Sequence, residues 1–269
     1  MRKGSKPRKK TENFLSKELL TMKRKIIASV LLFALVLTVF VGCTKGKAVD
    51  NKKEPQDEPT LSGYVVENTS RNILVSSEDG LTFVSTDGAK IMNGQKEISA
   101  SELKPGMNIK ITYDGVVLES YPGQIPNTRT IKVMSQENDK ISLYKKAVIH
   151  AYENREKLGE EKTIALDFSE ITSLDEDQKN ALEYVLGNYF ATKTDASVIR
   201  GSYKELEKDG VIKNNAFNDG IILSVSEKGE SKFSVGWWKS GNCAAGYDNC
   251  SAKIKDGEWS INYSDAWIS

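Results

Sequence analysis

Between Met22 and Cys43 the chain reads MKRKIIASVLLFALVLTVFVGC, and this stretch constrains everything that follows it. Three cations, Lys23, Arg24 and Lys25, precede seventeen uncharged residues, Ile26–Gly42, which end at a small residue and a cysteine. A basic head, an apolar middle and a small residue before a cut form the layout of an export signal. An uncleaved transmembrane helix is the alternative. A span needs roughly 20 apolar residues, about 17 at the least, and this run sits at that limit. The Gly-Cys ending, followed at once by polar sequence, favours cleavage. Either way the Lys/Arg cluster stays inside and the bulk of the chain lies outside.

The tail Phe40-Val41-Gly42-Cys43 resembles the lipobox of bacterial lipoproteins, although Phe40 stands where leucine is usual. The resemblance implies cleavage before Cys43 and a diacylglycerol, with fatty acids such as palmitate, on its sulfur. The expected address is the extracytoplasmic face of the cell membrane of a Gram-positive bacterium, reached through a lipid anchor. Residues 1–21 hold seven basic and two acidic residues ahead of a second methionine, Met22. They read either as a start assigned too early or as a cytoplasmic basic tail against anionic lipid. Residues 1–42 are thus the basic prefix and signal peptide. Residues 43–60 are the lipidated cysteine and a tether, dense in mixed charge and too polar to bury a core. Extended, Thr44–Thr60 reaches about 55 Å at roughly 3.3 Å per residue.

The net charge of +1 hides an asymmetry. Of 38 Lys/Arg and 37 Asp/Glu, residues 1–42 hold ten and two, which leaves 28 basic and 35 acidic residues beyond them, a net −7. Such a body has no electrostatic footprint for nucleic acid. Cys43 apart, the cysteines are an even pair, Cys243 and Cys250, separated by Ala-Ala-Gly-Tyr-Asp-Asn. In an oxidising compartment this reads as a turn closed by a Cys243–Cys250 disulfide. Two sulfurs and one distant histidine, His150, fall short of the four ligands of a zinc site, and no metal or cofactor is expected.

From Leu61 to Met134 the pattern is β. Strands are expected at Gly63–Glu67, Asn72–Ser76, Leu81–Ser85, Lys90–Met92, Asn108–Tyr113, Val116–Tyr121 and Thr130–Met134, with turn signals at Asp79-Gly80, Asn93-Gly94 and Asp114-Gly115. Ser99–Leu103 reads as one helical turn, stopped by Pro105-Gly106. GYVVE, ILVSS, SELKPGMNIKITYDG and LESYPGQ (Leu118–Gln124) together resemble a domain of unknown function in Gram-positive lipoproteins. That resemblance spans Gly63 to Val133 and implies an OB-like barrel and an envelope location, but no activity. Residues 61–135 carry seven basic and eight acidic side chains, so the basic groove of a nucleic-acid site is missing.

A polar joint, Glu137–Lys140, precedes a second domain at residues 140–269. Helical spacing of Leu143, Ala147, Val148, Ala151 and Tyr152 predicts an amphipathic helix over Ser142–Leu158, closed by Gly159. Lys162–Phe168 reads as a buried strand. Ser173 with Glu176, and Ser202 with Glu205, have the spacing of capping boxes opening two helices. Hairpins are expected for Ile221–Ser226 with Lys232–Trp238, and for Ser251–Lys255 with Glu258–Tyr263 around Asp256-Gly257. The run Trp237-Trp238-Lys239-Ser240-Gly241 with Asp256-Gly257-Glu258-Trp259 is similar to the C-terminal domain of other uncharacterised Gram-positive lipoproteins. The expected fold class is α+β: a small all-β OB-like barrel at residues 61–135, then an α+β domain with helices on a mostly antiparallel sheet.

No catalytic constellation is expected. The nearest to one is a general acid/base pair drawn from Asp167, Glu170, Asp175 and Glu176, which would suit a hydrolase of envelope polymers. The simpler expectation for Asp167 is a strand end hydrogen-bonded to the following turn. Trp237, Trp238, Tyr247, Trp259, Tyr263 and Trp267 crowd the last 33 residues. Neighbours in a strand point opposite ways, so one of Trp237 and Trp238 faces away from the core side. Trp237, Trp238 and Tyr247 are therefore the candidate contacts for a ligand or an envelope protein, unless helices cover both faces. The expected role is that of a non-enzymatic binding or sensing module.

Overall fold

Strand-forming residues and turn chemistry build the first half of the folded body. The computed structural model describes residues 58–69, 71–155 and 161–269. The signal segment, Cys43 and nearly all of the tether lie outside them. Strands β1 (Thr60–Asn68), β2 (Asn72–Ser77) and β3 (Gly80–Ser85) form an antiparallel meander. Gly80, at φ +96°, takes the left-handed conformation that the β2–β3 turn requires. Strands β4 (Lys90–Asn93) and β5 (Lys96–Glu97) make a hairpin, and a 3-10 turn follows at Ala100–Glu102. Then come β6 (Met107–Tyr113), β7 (Gly123–Ile125) and β8 (Thr128–Gln136).

These strands lie in the order β5-β4-β8-β6-β1-β2-β3-β7, a curled sheet whose two end strands do not pair with each other. Leu61 and Val65 of β1, Ile73 and Val75 of β2, and Ile109 and Ile111 of β6 project into one core, as alternate residues of a strand must. Val116–Tyr121, expected as a strand, is a loop held by a single bridge from Leu118 to Gln124. Its valines and Leu118 are exposed, so no buried face selects a register for them.

The second half begins with α1 (Lys140–Glu153), whose N-cap, Asp139, accepts from the Ser142 N–H at 3.1 Å. The helix ends at Glu153 with Asn154 as its C-cap, short of the expected Leu158, and Leu158 and Gly159 lie outside the described residues. Next are β9 (Thr163–Glu170), α2 (Glu176–Ala191), β10 (Ser197–Arg200) and α3 (Tyr203–Lys208). The chain finishes with β11 (Gly220–Gly229), β12 (Lys232–Ser240), β13 (Cys243–Lys255), β14 (Glu258–Asn262) and β15 (Ala266–Ile268). The sheet order is β10-β9-β11-β12-β13-β14, with β15 beside β13.

The sheet is mostly antiparallel: β11 to β15 pair antiparallel, and only β10 and β11 run parallel, both to β9. Helices lie on both of its faces. Ile164 and Leu166 of β9 join the core of α1 and α2, whereas Ala165 and Ile222 pack with Leu206 of α3. A parallel pair needs a crossover, and successive crossovers from β9 to β10 and back to β11 place their helices on opposite faces.

The two sheets share a helical layer. Tyr64, Val66, Leu74 and Leu81, on the outer face of the first sheet, belong to the same buried cluster as Leu143, Val148, Leu182 and Leu223. Helices α1 and α2 therefore bury more than one stripe, and α1 hides seven of its fourteen residues. Asp139 ties the layers together: its Oδ1 accepts from the Tyr64 hydroxyl at 3.2 Å, and its carbonyl accepts from Trp259 Nε1 at 2.5 Å. Residues Gln56–Ser269 form one compact unit.

Candidate functional site

The tryptophan pair on β12 points as the strand period demands. Trp237 turns inward, is only 6% exposed and packs in the core. Trp238 turns to the opposite face, where Tyr203 of α3 meets it edge to face at 4.9 Å. Trp238 is therefore the outward member of the pair, half-buried beneath Tyr203. Tyr247 is half-buried, with its ring 5.5 Å from His150 and 5.2 Å from Tyr263. His150 lies flat on Tyr263 at 3.7 Å and 13°. Burial lowers the His150 pKa and raises that of the Tyr263 hydroxyl well above the usual phenol range. Beside this stack is a crevice of about 130 Å³ lined by Trp237, Gly246, Tyr247 and Trp267.

The proposed cysteine loop is a strand. Cys243 and Cys250 stand at two positions of β13, opposite Ser240 and Phe233 of β12, and both thiols are free. Seven steps along a strand at about 3.3 Å each separate them by roughly 23 Å, whereas a disulfide needs Cα atoms within about 7 Å. The Gly-Tyr-Asp-Asn composition resembled a turn, but Gly246 is there because it faces Gly236 across the ladder. Burial raises the Cys250 thiol to about 11.

The candidate carboxylates separate into structural roles. Asp167 accepts from the Ser169 N–H at 3.0 Å and the Ser169 hydroxyl at 2.6 Å, the strand-end turn expected for it. Asp175, not Ser173, is the N-cap of α2, in a box with Gln178. Glu176 pairs with Lys179 and Arg200, each at 3.2 Å. Asp167, Glu176 and Glu205 nevertheless line one cleft of about 200 Å³ at the carboxyl ends of β9 and β10, together with Lys179 and Arg200. His150 lines a different part of the fold. Ser202 caps α3 in a box with Glu205, as its spacing implies.

Sequence reasoning passed over an open cleft on the second sheet. Two segments form it: the loop Asn214–Asn218 and the β12–β13 turn around Lys239–Cys243, enclosing about 750 Å³. Lys213 and Ala216 exchange backbone hydrogen bonds at 3.1 and 3.0 Å around Asn214 and Asn215, which sit at φ +52° and +55°. That is a two-residue turn with both central residues left-handed, where asparagine is the favoured alternative to glycine. The Gly241 N–H donates to the Asn215 carbonyl at 3.2 Å, and Phe217 N–H to the Lys239 carbonyl at 2.7 Å, so the two walls are laced together. Phe217, buried, forms the floor with Trp238 packed against the same cluster. The Asn-Asn dipeptide was a legible turn signal. What it would face was not.

Among the described residues no group of His, Cys, Asp and Glu is arranged to hold a metal ion, and no helix is long and apolar enough to cross a membrane. Comparison with models of known protein families and with curated proteins finds no match for this chain.

Proposed function

We propose that the chain is a lipid-anchored, extracytoplasmic binding module of the bacterial envelope, built from an OB-like first sheet and a mixed second sheet. Cys43 carries the anchor and the tether sets the body off from the lipid surface. The observation that carries binding is the open cleft between Asn214–Asn218 and Lys239–Cys243, which has no carboxylate in its lining. A concave surface with a few convergent polar groups over an aromatic floor is the usual form of a ligand site. The test has two arms. Cys43→Ala should leave the chain uncut, or release it from membranes on fractionation; unchanged processing and anchoring removes the envelope reading. Full-length protein in detergent should retain envelope material on an affinity column, and an empty column removes the binding reading.

A hydrolase is the second reading, favoured by the shared cleft of Asp167, Glu176 and Glu205 at the carboxyl ends of parallel strands. Release of reducing ends from cell walls, abolished by Asp167→Asn or Glu176→Gln, would replace the first reading with this one.

A further inference from the structure

Four asparagines meet in the open cleft on the second sheet, and their side chains are unequally occupied. Asn215 Oδ1 accepts from the Tyr203 hydroxyl at 3.1 Å, and Asn242 Oδ1 faces the Ser240 hydroxyl at 3.0 Å. The amide nitrogens of both are left over. Asn214 and Asn218 make no side-chain hydrogen bond among the described residues. Turn chemistry accounts for Asn214 and Asn215 but not for Asn218 and Asn242, neither of which has a positive φ.

The charge pattern narrows the ligand. No Asp or Glu lines the cleft, so a cation finds no counter-charge there. The one cation, Lys239, already spends its ammonium on the carbonyls of Asn218 and Gly220, both at 3.3 Å, which leaves little for an anion. What remains is neutral and bifunctional. Each amide offers a carbonyl acceptor and an NH₂ with two donors, a set matched by groups that both give and take a hydrogen bond, such as hydroxyls and acetamides. From this we infer that the cleft binds a neutral oligosaccharide, its hydroxyl or acetamido groups held by Asn214, Asn215, Asn218 and Asn242. This inference rests on the binding-module reading of the same cleft and specifies its ligand.

The probes are N-acetylglucosamine tetramer, maltotetraose and inorganic phosphate, each titrated calorimetrically into the full chain in detergent. At least one sugar should bind saturably, and phosphate should not compete. Asn215→Asp keeps the left-handed turn and the acceptor for Tyr203 but removes the NH₂ donors. It should weaken sugar binding about tenfold, as loss of one good hydrogen bond does. Asn242→Ala, in the other wall, should do the same with an unchanged melting temperature. Sugar binding unaffected by both variants overturns the inference. So does binding of phosphate alone, which would leave a ligand cleft of the wrong class. If neither sugar nor phosphate binds while envelope material is still retained equally by Asn215→Asp, the cleft assignment falls and the binding-module reading survives.

Discussion

The Ser173 hydroxyl donates to the carboxylate of Glu227, 54 residues further along the chain. Its spacing to Glu176 marked it as a helix cap, yet Asp175 holds that post and Ser173 has been taken for a different task. The same carboxylate accepts from the Tyr144 hydroxyl, from the Thr172 N–H and hydroxyl at 2.9 and 2.8 Å, and from the Ser173 N–H at 3.0 Å. Lys140 stands 3.6 Å away. Glu227 thereby pins β11 to α1 and to the loop before α2. Burial works against its charge, but the bonds from Ser173, Tyr144 and Thr172 prevail and hold its pKa at about 2.

Replacing Glu227 with glutamine should therefore destabilise the chain by about 2–3 kcal/mol, the worth of hydrogen bonds to a charged group. A carboxylate depressed in the folded state adds stability above its unfolded value, and that stability drains away as pH falls from about 4.5 to about 2. Urea denaturation along this pH range should show a slope in the native chain that is shallower in Glu227→Gln. Parallel slopes would remove the network from its role.

His150 is the only histidine, so its titration can be followed without overlap. Its pKa is lowered by burial against Tyr263, while the unfolded chain keeps the ordinary value of about 6.5. Below that pH the unfolded state takes up the proton more readily, and stability should fall. Proton NMR should find the imidazole titrating below 6.5, and Tyr263→Leu, which opens the stack, should move it upward. An unshifted midpoint in the native chain contradicts the stack.

The two thiols should behave independently. Cys250 is 1% exposed and its thiol is pushed up to about 11, so it should react with a maleimide only in denaturant. Cys243 is half-buried and should label in the folded protein. Intact mass after non-reducing preparation reports both, and a mass two hydrogens short would restore the disulfide.

Gly246 has no room for a side chain. A Cβ there would lie 2.7 Å from the Val235 carbonyl oxygen, 2.9 Å from Gly236 Cα and 3.0 Å from the Trp267 indole. Gly246→Ala should cost about 1–3 kcal/mol through overpacking and push β15 off β13. Carboxypeptidase should then trim the last residues faster than in the native chain. Equal trimming rates would mean that β15 is not docked there.

Much of the strand pattern was legible because its causes are local. Asp256 and Gly257, at φ +53° and +82°, turn the β13–β14 hairpin where an Asp-Gly pair is expected to. Ser202 and Glu205 cap α3 because both partners sit within one turn of the backbone. The failures share a different cause. Ser197–Arg200 became a strand only because β9 was there to pair with it, and Cys243–Cys250 looked like a turn until β12 supplied a partner for Gly246. The cleft was missed for the same reason. Asn214–Asn218 and Asn242 are more than twenty residues apart and meet only once the β11–β12 hairpin brings the chain back.

Periodicity, turn residues and capping residues by themselves determined where most helices and strands lie, since each acts over a few bonds. They also determined the charge asymmetry between the first 42 residues and the rest. Tertiary structure alone decided which face each element buries, that two sheets share one layer of helices, and that Trp237 is hidden while four amides stand open. Those outcomes depend on pairings between residues distant in the chain, whose closure entropy is repaid only by contacts that exist after folding.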